Sequence, residues 1–128
     1  MREVLFRGKR TDNGLWVYGS LFKRIYTQHI FPLPITTTKI EVIPETVGQF
    51  TGMTDKNGKQ IFEGDIIRAK IEDGNHEGFT WPNKCVDFQK GSFCLTDGKG
   101  YVFCVLGAFA PSVSLEVIGN KHDNPELL

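Results

Sequence analysis

Three cysteines, three histidines and two acidic turn segments are the residues of this chain whose types are suited to chemistry. A zinc site needs paired Cys or His at short spacing, and Cys85, Cys94 and Cys104 contain no CxxC pair. His29, His76 and His122 lie far apart and form no HExxH pattern, so nothing sets two imidazoles on one helical face. A Cys/His nucleophile would require the fold to carry a histidine beside Cys85 or Asp87 and a reactive Cys85 or Cys94, without the support of a nucleophile elbow or a triad pattern. Asp55-Lys56-Asn57-Gly58 opens like a calcium loop but places Gly58 fourth and Ile66 twelfth, where an EF-hand has Gly sixth and Glu twelfth. Asp or Asn capping of the local backbone, with Gly58 at positive φ, explains it without an ion. Glu63 and Asp65 flank Gly64 in a second turn and are expected to be solvated carboxylates that cap backbone N–H groups, not an acid/base pair. No P-loop or GxGxxG occurs. The expectation is a non-enzyme with no catalytic residue, metal or cofactor.

The aromatic residues are the stronger functional signal. In "LWVYG" Trp16 and Tyr18 alternate with Leu15 and Val17, so a strand there turns one pair away from whatever the other packs against. With Phe22, Lys23 and Arg24 they form a candidate interaction surface, joined by the loop around Trp81, which is either exposed or packed on its own barrel. Trp and Tyr of this kind suit a subunit or protein interface. The alternative is a stacking platform for single-stranded nucleic acid, where each base stacked on a ring contributes about 1–3 kcal/mol.

An all-β chain must position these residues. Fourteen glycines, ten phenylalanines and short apolar runs between turn residues describe many short strands, and no window holds a helical period for three turns. Strands are expected at Glu3 to Arg7, Leu15 to Arg24, Thr27 to Phe31, Lys39 to Ile43, Ile61 to Phe62, Ile66 to Glu72, Lys84 to Gln89, Ser92 to Thr96, Tyr101 to Leu106 and Ser114 to Ile118. Asp12-Asn13-Gly14 supplies the positive φ of a tight hairpin. Pro32 and Pro34 cannot donate ladder hydrogen bonds and mark a loop or a sheet edge. A two-residue turn at Lys90-Gly91 sets Phe88 opposite Phe93 and Val86 opposite Leu95, an apolar face. A second turn at "DGKG", residues 97–100, then sets Leu95 opposite Val102 and Phe93 opposite Cys104. In that register Cys104 points to the core while Cys85 and Cys94 point the other way, so the three thiols cannot converge on one metal.

A chain of 128 residues fits one domain. We expect a hairpin section over 1–44, a compact section over 45–118 and an extended tail over 119–128. Fifteen basic residues balance fifteen acidic ones, so no global field draws nucleic acid or an anionic membrane. The N-terminal end is locally basic: Arg2, Arg7, Lys9, Arg10, Lys23 and Arg24 face only Glu3 and Asp12 within residues 1–24. The first residues lack the apolar stretch of a signal peptide, and no apolar run reaches about 18 residues. Odd, unpaired cysteines suit a reducing compartment. The expected location is the cytoplasm, with no membrane association.

"ETVGQFTGMTDKNGKQIFEGDIIR", residues 45–68, the opening "MREVLFRG" and the close "IGNKHDNPEL" resemble the YopX family of phage and prophage proteins. The resemblance covers nearly the whole chain. It implies a small, mostly β, phage- or prophage-encoded protein of the host cytoplasm without an established activity, and it brings no catalytic residues. Its shared positions, among them Gly52, Asp55, Gly58, Gly64, Asp65 and Asn120, are turn-forming types. Separately, "EGDIIRAKI" followed by "CVDFQKGSFCL" suggests a small SH3-like β-barrel behind an N-terminal hairpin. The combined expectation is a homo-oligomeric protein-interaction module, with nucleic acid as the alternative partner.

Overall fold

The structure, a computed structural model, describes residues 4–33, 38–72, 74, 79–109 and 112–128. The chain forms two compact units, Met1–Gly52 and Met53–Leu128. Among the described residues all regular structure is antiparallel β apart from three short 3-10 turns. No helix among the described residues is long and apolar enough to cross a membrane.

In the first unit β1 (Phe6–Lys9), β2 (Trp16–Lys23), β3 (Gln28–Pro32), β4 (Ile40–Val42) and β5 (Gly48–Thr54) lie in the order β4-β3-β2-β1-β5. The β1–β2 turn forms as its residues dictate. Gly14 takes φ 71°, Asn13 Oδ1 accepts the N–H of Leu15, and Phe6 pairs with Gly19 and Lys9 with Trp16. One side of this sheet buries Ile30 and Val42 completely. Backbones meet closely there: a Cβ on Gly19 would stand 1.8 Å from the carbonyl oxygen of Phe31, so only glycine fits. Pro32 ends β3 opposite Gly19, and Pro34 lies outside the described residues. The sequence did not predict β5. Two glycines dilute its β-forming residues, and Gly52 takes φ 87°, so the strand departs from regular geometry partway along.

In the second unit β6 (Gln60–Phe62) follows the end of β5. A five-stranded sheet then has the order β10-β9-β8-β7-β11, from β7 (Asp65–Ile71), β8 (Lys84–Gln89), β9 (Ser92–Thr96), β10 (Val102–Val105) and β11 (Val113–Asn120). The all-β class holds, but the sheets are open, and the expected closed barrel does not form. In this sheet β10 and β11 are edges that do not pair with each other. Its core is Ile61, Ile67, Ala69, Val86, Leu95, Leu106 and Leu115.

The β8–β9 hairpin has the expected register, Val86 with Leu95 and Phe88 with Phe93, with Lys90 at φ 51° and Gly91 at φ 83°. The third strand does not. Cys104, not Val102, stands opposite Leu95, and Val102 pairs with Thr96. The reason is the Asp97 carboxylate, whose Oδ1 accepts the N–H groups of Lys99 and Tyr101. Asp97 N–H also donates to Tyr101 O, so the turn takes five residues, and an irregularity between Val102 and Cys104 resets the ladder. Cys104 moves by an even number of positions and so stays on the core side.

The other side of this sheet is also covered at the β7 end. Ile66 and Cys85 pair there and are both fully buried. Of the expected tail, Gly119 and Asn120 complete β11 and residues 121–128 turn back: Lys121 N–H bonds Gly64 O, Asn124 N–H bonds Asn120 O, and a 3-10 turn spans Pro125–Leu127. Asn83 Nδ2 donates to Leu127 O at 2.9 Å, tying the end of the chain down.

Candidate interaction face

Strand alternation in the first unit decides which predicted residues meet. Trp16, Tyr18 and Phe22 share one side of β2. Pairing adds Arg7 and Lys9 from β1, opposite Tyr18 and Trp16, and His29 and Phe31 from β3, opposite Phe22 and Ser20. Lys23 is one residue out of phase and points to the other side. Trp81 belongs to the second unit. Its ring contacts Phe79 at 5.2 Å and Phe109 at 5.8 Å, both edge-on, and it packs against the core of that unit. Instead of lying exposed, this loop tryptophan is part of a fold-building cluster, anchored by its backbone N–H to Ala69 O.

On the first-unit face, cations stand against rings. The Arg7 guanidinium carbon lies 4.5 Å from the Trp16 ring centre and Lys9 Nζ lies 5.6 Å from it. Phe22 has Lys39 Nζ at 4.9 Å and Arg24 at 5.8 Å, and meets His29 and Phe31 edge-on. Such contacts contribute about 0.5–1 kcal/mol where exposed and more where desolvated. Tyr18 and Phe22 nevertheless remain 41% and 37% exposed. His29 Nδ1 is buried without a hydrogen-bond partner among the described residues. Glu41, paired with His29, is the acid that alternation brings to this side. Phe31 and Lys39 were not singled out from sequence, and Arg7, Lys9 and His29 were noted there only as basic or titratable residues, although the alternation of "FRGK" and "QHIF" carried the signal.

The chemistry-bearing residues of the second unit serve its backbone. Asp55 is buried, and its Oδ1 accepts the N–H groups of Asn57 and Lys59 while Oδ2 accepts that of Val117, each at 2.9 Å. Burial works to raise its pKa, but the N–H donors of Val117, Lys59 and Asn57 outweigh it, and the carboxyl lies below its ordinary value. Asp65, expected in solvent, is 1% exposed and accepts the N–H of Phe62 at 2.7 Å. Capping is as expected; solvation is not, because the Gly64 turn is tied to Val86 O and Lys121 N–H. Burial pushes the Cys85 thiol up to about 11, and raises those of Cys94 and Cys104 as well. Cys94 and Cys104 lie on opposite sides of β9–β10. Among the described residues no three His, Cys, Asp or Glu side chains converge as metal ligands.

The geometry is that of a two-unit β protein with an aromatic and basic face in one unit. A solved structure with similar architecture is that of protein EF1440 from Enterococcus faecalis. It matches with a TM-score of 0.61 and 26% identity, over 100% of this chain and 99% of that one. No curated protein matches. The family model for YopX protein matches residues 5–128. The chain belongs to the YopX family.

Proposed function

We propose that this protein is a non-enzymatic binding module whose working surface is the Trp16, Tyr18 and Phe22 face of the first unit. The observation that carries this reading is the grouping itself: the exposed rings of Tyr18 and Phe22 beside the half-buried Trp16, with Lys9, Arg24 and Lys39 around them and Arg7 buried against the Trp16 ring. Tyr, Trp and Arg anchors of this kind dominate protein interfaces. The partner is an acidic protein surface. Pairing the face with its own copy would set cations against cations, which selects a different patch. A second copy of the chain supplies one. Residues 1–52 hold seven Lys and Arg against four Asp and Glu, formally +3, and residues 53–128 hold eight against eleven, formally −3. The module is a homo-oligomer in this reading, acting in the host cytoplasm as an accessory protein of a phage or prophage, an origin supported by the family likeness.

Light scattering coupled to size exclusion tests this. The wild type is expected to elute as a defined oligomer and Tyr18→Thr/Phe22→Thr as a monomer with an unchanged circular dichroism spectrum. An unchanged oligomer mass rejects the reading. The same +3 on residues 1–52 favours a second reading, single-stranded nucleic acid stacked on the rings. It is distinguished by nucleic-acid absorbance in the peak that disappears at high salt, because counterion release makes such binding salt-sensitive.

A further inference from the structure

The second unit carries a feature of the opposite kind to its overall acidity. On the side of β7 and β11 away from the core, Arg68 pairs with Glu116 and Lys70 with Ser114 across the ladder. Thr80 bridges Lys70 on the other flank. The Asp55 turn closes one end, because Lys56 N–H is held by Leu115 O. The result is a recess of about 340 Å³ lined by Lys56, Arg68, Lys70, Thr80, Ser114 and Glu116, within the range of small-molecule sites, about 300–1,000 Å³. Every one of these side chains is a hydrogen-bonding group.

A solvated strand face alternates charge signs and is open. This one is concave and carries three cations against one carboxylate, a formal +2, inside a unit of formal −3. Its one ion pair is loose: Arg68 NH1 stands 3.7 Å from Glu116 Oε1, against about 2.7–2.9 Å for a charge-assisted hydrogen bond. The guanidinium can therefore exchange that contact for a better acceptor at little cost. Two hydroxyl donors, on Thr80 and Ser114, complete a set suited to an oxyanion.

We propose that this recess binds a dianionic phosphate group, a phosphate monoester or inorganic phosphate, with Arg68 and Lys70 as its principal charged contacts. The +2 lining matches a dianion better than the single charge of a phosphodiester. The proposal is independent of the first-unit face.

Titrating the full-length protein with inorganic phosphate while following amide chemical shifts tests it, with sodium chloride of equal ionic strength as the control. The expected result is saturable binding, with shifts confined to residues near 56, 68, 70, 80, 114 and 116. Arg68→Ala and Lys70→Ala each weaken it about tenfold, the size of one charged hydrogen bond. Glu116→Gln tightens it, which a general loss of structure cannot do. No saturation, an equal response to chloride, or binding unaltered in Arg68→Ala and Lys70→Ala overturns the proposal. A glucose 6-phosphate titration run in parallel distinguishes the sources: tighter binding than phosphate points to an esterified ligand, equal binding to free phosphate, and both support the site.

Discussion

Two aromatic groups, the Tyr18 and Phe22 face of the first unit and the Trp81 cluster of the second, use the same residue types to opposite ends. In Met1–Gly52 the rings of Tyr18 and Phe22 stay exposed, with Arg24 and Lys39 against Phe22. In Met53–Leu128 the rings of Trp81 and Phe109 pack against a core, with the half-exposed Phe79 edge-on to Trp81, and the carboxylates of Asp55, Asp65 and Asp97 are used up on backbone N–H groups. A side chain consumed by its own backbone or core is unavailable to a partner. By that test Trp81, Phe109 and the turn acids of the second unit are architecture, and the Tyr18 and Phe22 face of the first unit is aromatic surface left open to a partner.

Substitutions that disturb the interior of either unit should have the largest effect. Gly19→Ala would drive a methyl group into the Phe31 carbonyl, and we expect a loss of about 3 kcal/mol in urea denaturation, the upper end of overpacking costs. Trp81→Ala should remove about 3 kcal/mol from the stability of the second unit, the low end for a tryptophan because it is only partly buried. If Trp81→Ala proved neutral, the contrast between the two aromatic groups would collapse.

Asp55→Asn sharpens the contrast from the polar side. It keeps the shape but sets an amide where three N–H groups converge, and we expect about 2 kcal/mol of destabilisation. The pH dependence has a definite sign. The folded-state pKa of Asp55 is depressed, so its contribution is complete above the unfolded value of about 3.9 and is lost as pH falls through the lower folded value. Acid titration of stability should therefore be shallower below about pH 4 in Asp55→Asn than in the wild type. Equal slopes would remove Asp55 from the account. A smaller effect concerns thiol reactivity. With Cys85 buried and its pKa pushed up to about 11, labelling of the native protein at neutral pH should be slow at Cys85 and should accelerate on unfolding. Rapid native labelling there would contradict the packing on that side of the sheet.

Much of the fold was legible because turns and alternation are local. Asn13-Gly14, Lys90-Gly91 and Asp55 to Gly58 each formed the turn their residues require, and the pairing of Val86 with Leu95 followed from a two-residue loop. What was not legible depends on distant contacts. The carboxylate of Asp55 bonds Val117, and Asp65 is buried because Gly64 is tied to Val86 and Lys121. The Val102 register failed because a side chain, Asp97, enlarged the turn. On the face itself, Trp16, Tyr18 and Phe22 could be grouped by period-two spacing. Lys9 was already a basic candidate beside them, whereas Phe31 and Lys39 could join them only once strand pairing was known. Trp81 carried the same composition signal as Trp16 and belongs to a core, since tryptophan is suited equally to both uses.

The most direct test of the central claim is the urea midpoint of Tyr18→Thr/Phe22→Thr against that of Trp81→Ala. Threonine keeps β-propensity, so the account predicts a first-unit variant within about 1 kcal/mol of wild type and a Trp81→Ala midpoint clearly lower. A first-unit variant destabilised as much as Trp81→Ala would show that the exposed rings hold the fold, and the division between architecture and binding surface would be wrong.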